Sequence, residues 1–157
     1  MTKRQNRDTY LREDEVLQRV VDTSRKIADF LARQRNETQD ERSQMQLDNL
    51  LELQNELTER IAEYGNKAPW QFHETYMQYV DVGSGKVDDM IRDSHPRDLD
   101  DLIETAIALN RTLAEELEPA SENAGVEASH DAFANLQSLV EENCRRISLS
   151  RSMSGDM

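Results

Sequence analysis

Cysteine occurs once in this chain of 157 residues, as Cys144. No internal disulfide can form, and a reduced, cytoplasmic setting is the simplest expectation. Proline occurs three times and glycine five, too little turn-forming material for a sheet protein with many corners. Aromatic residues make up 5%, and half of them gather between Trp70 and Tyr79. No apolar run approaches the length that spans a bilayer, and the opening residues, MTKRQNRDTY, carry no segment of the secretory kind. Positive charge is short as well: 19 Lys and Arg against 32 Asp and Glu leave a formal net charge of -13. Such a surface repels phosphate backbones and anionic headgroups, so nucleic acid and membrane are not expected as partners. Glycine-rich phosphate loops, CxxC pairs and Ser-His-Asp sets are missing too, which leaves nucleotide, dithiol and nucleophilic chemistries without support.

What the chain does have is helical periodicity. In DERSQMQLDNLLELQNELTERIAEY, residues Leu47, Leu50, Leu57, Ile61 and Tyr64 recur at steps of three and four and draw one apolar stripe down a long helix. Three further segments carry such a stripe. The first, 12–36, buries Val16, Leu17, Val20, Val21, Ile27, Ala28 and Leu31; the third, 98–118, buries Leu99, Leu102, Ile103, Ala106, Leu113 and Leu117; the fourth, 127–149, buries Phe133, Leu136, Val140 and Ile147. With the second at 39–64, these predict an all-α, antiparallel four-helix bundle. Residues 1–11 are expected to be flexible and 150–157 disordered. Thr38-Gln-Asp-Glu41 has the spacing of a capping box, Gly65 is placed for a left-handed cap, and Pro119 should kink or end the third helix. Residues 65–97 are long for a loop and read as a crossover from one end of the bundle to the other, carrying a short aromatic helix over about 69–80.

Each stripe holds one neutral polar residue near its middle: Ser24, Gln54, Asn110 and Asn143. In an antiparallel bundle these stand at comparable depths and should meet as one buried layer. Buried polar groups need partners, so the four should bond to each other or to water. Such a layer can fix helix register with no ligand at all, as single polar residues do in coiled coils. Trp70, Phe72, Tyr76 and Tyr79 cannot all face inward from one short helix, and they suggest an interface, with a homodimer or another protein as partner.

The order long helix, tight turn, long helix, crossover, long helix, long helix, with the segments SRKIADFLARQRNETQDERSQMQLDNLLELQNELTERIAEY and ETYMQYV, resembles the ferritin-like, rubrerythrin-related bundles, in particular a bacterial branch of unassigned activity. The resemblance spans residues 15 to 149. It implies a core di-iron or di-manganese centre held by one glutamate from each of two helices and Glu-x-x-His from each of the others. Here the pattern departs. Glu52-Leu-Gln-Asn55 and Glu142-Asn-Cys-Arg145 put an amide and a guanidinium where imidazole is needed, and the fixed charge of arginine opposes a dication. The expectation is a metal-free, non-catalytic bundle that acts through its surface as a binding or oligomerising module. The alternative is a carboxylate-only di-iron or di-manganese oxidoreductase or iron-handling protein using Glu52, Glu56, Glu115 and Glu142. A third reading, a flexible chaperone-like bundle working through its methionines and acidic surface, predicts gradual melting. The one complete Glu-x-x-His, Glu127-Ala-Ser-His130, falls in the first turn of the last helix, far from the centre. His73 reads as a surface or interface residue and His95 as part of a turn, while Cys144 reads as an inert small hydrophobe.

Overall fold

A computed structural model describes residues 10–66, 76–78, 82–122, 124 and 127–155. The elements are β1 (Tyr10–Arg12), α1 (Glu13–Glu37), α2 (Glu41–Asn66), β2 (Tyr76–Gln78), α3 (Lys86–Asp93), α4 (Leu99–Glu122) and α5 (Glu127–Gly155). The fold is helical throughout, apart from the two short strands, which pair antiparallel with Arg12 opposite Tyr76 and Tyr10 opposite Gln78.

Two of the long helices, α2 and α4, start where a side chain satisfies a first-turn backbone donor. Asp40 accepts from the backbone N–H of Ser43 at 3.0 Å and Asp98 from that of Asp101 at 2.9 Å, each three residues into its helix. Thr38 is therefore not the cap: its hydroxyl turns back to the Gln34 carbonyl at 2.7 Å. The Ser43 hydroxyl and N–H hold the Asp40 carboxyl below the usual carboxylate range, so its stabilising effect is present above that range and is lost as pH falls below it, through the lowered value.

Packing follows the stripes. The main contacts join α1 to α2 and α4 to α5, with further faces between α2 and α5 and between α1 and α4. Two apolar clusters fill the bundle. The upper one, at the end holding the α1–α2 turn, is built from Ile27, Leu31, Leu47, Leu50, Leu109 and Ile147. The lower one contains Val20, Ile61, Leu113, Leu117, Phe133 and Leu136. Each such fully buried side chain contributes about 1.5–3 kcal/mol relative to exposure. Membership of the two clusters shows that α1 and α5 run one way and α2 and α4 the other. The chain thus leaves α2 at the lower end and enters α4 at the upper end.

Several expectations need correction. Residues 76–78 form a strand and not part of a helix, because β1 offers them backbone partners; this also orders Tyr10 and Leu11. Trp70, Phe72, His73 and Tyr79 lie outside the described residues. Helix α3 was not anticipated, although Val87, Met90 and Ile91 have helical spacing and pack on the upper cluster. Helix α4 continues through Pro119 to Glu122, held by the burial of Ala120 and Ser121. Helix α5 continues to Gly155 instead of ending at Leu149: Arg151 pairs with Glu104 and approaches Asp100 on the first turns of α4. Gly65 is helical and ends nothing; among the described glycines only Gly83 (φ 76°) and Gly85 (φ 107°) take the left-handed conformation.

Candidate functional site

The feature that the four helices build together is a polar layer between the two apolar clusters. On each helix it falls near the midpoint: Ser24 on α1, Gln54 on α2, Asn110 on α4 and Asn143 on α5. Ser24, Gln54 and Asn110 are 0% exposed and Asn143 3%, so all four expected positions are core positions.

Three of the four are joined directly. Asn110 Nδ2 donates to Gln54 Oε1 at 2.8 Å, and Gln54 Nε2 donates back to Asn110 Oδ1 at 3.2 Å. Since α2 and α4 lie diagonally in the bundle, this reciprocal amide pair crosses its centre. The second N–H of Asn110 goes to the Ala106 carbonyl at 2.9 Å, one turn back on α4. The second N–H of Gln54 goes to Ser24 Oγ at 3.1 Å. Ser24 and Thr58 hydroxyls stand 2.7 Å apart. Thr58 donates to the Gln54 carbonyl at 3.0 Å, which uses its only proton, so Ser24 is the donor between them. The Ala106 carbonyl fixes the orientation of Asn110, Asn110 that of Gln54, and Gln54 that of Ser24. Every donor in the chain of bonds is engaged, and no member carries charge.

Comparison with protein-family models, with curated proteins and with solved structures finds no match to this chain.

The layer does not fit a dication. Its members are amides and hydroxyls whose donors point into the site, and it contains no carboxylate to offset two metal charges. The carboxylates of the alternative set are not brought together either. Glu52, Glu115 and Glu142 are exposed, and Glu56 is half-buried and accepts from Arg146 across the α2–α5 face at 3.1 Å. Among the described residues no cluster of three or more His, Cys, Asp or Glu could hold a metal ion. Asn55 and Arg145, at the positions where imidazole is needed, are both exposed. Glu127 and His130 are exposed, and His130 Nδ1 donates to the Ser121 carbonyl at 2.7 Å while Ser121 Oγ donates to the His130 carbonyl at 3.1 Å. That histidine staples the α4–α5 turn.

Thr58 is the layer member that the stripe pattern misses. The signal was available, because it stands four residues after Gln54 and beside Leu57, on the same face. Buried carboxylates were missed as well: Glu13 at the start of α1, where the helix dipole favours it, and Glu116 on α4 beside Thr23 and Lys26.

Cys144 is half-buried, with Sγ 3.9 Å from the Ile107 carbonyl. Burial pushes the thiol pKa up more than the charges of Arg111 and Arg145 pull it down. At neutral pH the reactive thiolate is scarce, so Cys144 should react with a thiol reagent more slowly than an unstructured cysteine does. The rate should rise on unfolding, and equal rates in folded and unfolded protein would show an accessible, activated thiol.

Proposed function

We propose that this chain is a ferritin-like bundle whose central layer has exchanged metal-binding carboxylates for a neutral hydrogen-bonded network, and that it acts through its surface, as a self-associating binding module. The observation that carries this reading is the Gln54–Asn110 amide pair, which occupies the bundle centre with all its donors engaged by Ser24, Ala106 and each other. A layer of this kind supplies register and rigidity and offers no group poised for acid, base or nucleophilic chemistry. The matched helix lengths and the connection between opposite ends of the bundle are consistent with the crossover topology of that superfamily.

Work at the surface then falls to exposed groups and to the aromatic segment, with Trp70, Phe72, Tyr76 and Tyr79 as the interface candidates. The expected species is a homodimer. Light scattering on the purified chain should give the mass of two chains, and Trp70→Ala/Tyr76→Ala should shift it toward one. A wild type with the mass of one chain at every concentration, or a double variant with unchanged mass and melting temperature, would remove the aromatic interface from the account.

A further inference from the structure

Asn143 stands at the level of Gln54 and Asn110 but takes no part in their bonds. Its side chain is 3% exposed, and Nδ2 is enclosed with no hydrogen-bond partner among the described residues. Its neighbours on the inward face of α5, Val140 and Ile147, are fully buried and apolar and offer no acceptor. An enclosed amide donor without an acceptor is unfavourable, and a leucine of the same shape would avoid that penalty. The polar layer supplies acceptors, among them Gln54 Oε1 and Asn110 Oδ1. Each already receives one bond and keeps a second lone pair.

We propose that Asn143 is the binding site of one structural water, which accepts from Nδ2 and donates to a remaining lone pair of the amide pair. The water joins α5 to a network that otherwise ties only α1, α2 and α4. The chemistry selects the ligand: the partners are neutral, one is a donor and the others acceptors, and the surroundings are apolar and closed. A molecule the size of water with both donor and acceptor capacity fits, whereas an ion would meet no counter-charge.

Water–amide cross-relaxation on the labelled full chain tests this directly. The side-chain NH2 of Asn143 should show a cross-peak to a long-lived water. Magnetic relaxation dispersion should count one more such water in the wild type than in Asn143→Leu. Folded proteins hold about one buried water per 27 residues, so the difference decides, not the count. Absence of the wild-type cross-peak, or an equal count in the two proteins, overturns the proposal. If Asn143→Leu does not fold, the wild-type cross-peak alone decides.

Discussion

Gln54→Met should destabilise the bundle by about 2–4 kcal/mol, and Asn110→Leu by a similar amount, because each leaves the other buried amide without its partner. For a chain of this length that is a fall in Tm of roughly 5–15 °C. The two substitutions keep shape and remove only hydrogen-bonding groups, so packing loss is small. The double variant should recover most of the loss, since Ser24 and Thr58 still satisfy each other and neither amide of the pair remains stranded. A coupling of about 1–3 kcal/mol in the double-mutant cycle, read from denaturant unfolding, is the expected result. Additive losses would mean that the amide pair is not the unit described here. The recovered stability should come with poorer specification of register, visible as broadened amide resonances, because a uniformly apolar seam no longer distinguishes one helix offset from another.

Gly65→Val should destabilise by about 1–3 kcal/mol, the usual range for overpacking. A Cβ at this position would stand 2.4 Å from Leu17 Cδ2, and Leu17 is itself buried on the lower part of α1. The glycine is there so that α1 and α2 can approach closely, not for its backbone freedom. Gly65→Ala should cost less, because a helical Gly→Ala change gains up to about 1 kcal/mol that offsets the displacement of one methyl. Combining Gly65→Val with Leu17→Ala should restore part of the loss by exchanging one volume for another. A Gly65→Val variant as stable as the wild type would show that Leu17 moves aside freely.

Both effects bear on how much of this fold the sequence pattern carries by itself. The stripes located four long helices to within a few residues at most ends, because amphipathic periodicity is a local property of a chain with so few turn residues. The layer was legible for the same reason: a polar residue at a position the period reserves for an apolar one announces itself. How its members pair was not legible, since the Gln54–Asn110 pair depends on which helices lie diagonally. Gly65 was misread because a glycine near a helix end has two meanings, a left-handed cap or a close approach, and only Leu17 tells them apart. Pro119 does not end its helix, because the burial of Ala120 and Ser121 outweighs the lost backbone donor. The length of α5 depends on Arg151 reaching α4, a contact between residues nearly fifty positions apart in sequence. The strand at Tyr76–Gln78 likewise depends on a partner, β1, that lies far earlier in the sequence.

The central claim is that the middle of this bundle is a neutral network in place of a metal centre, and metal loading tests it most directly. Protein purified without chelator, exposed to ferrous iron or manganese under anaerobic conditions and then desalted, should retain no stoichiometric metal by elemental analysis, and its melting temperature should not change. About two ions per chain, the number held by di-metal carboxylate bundles, would contradict the account and restore an oxidoreductase or iron-handling role.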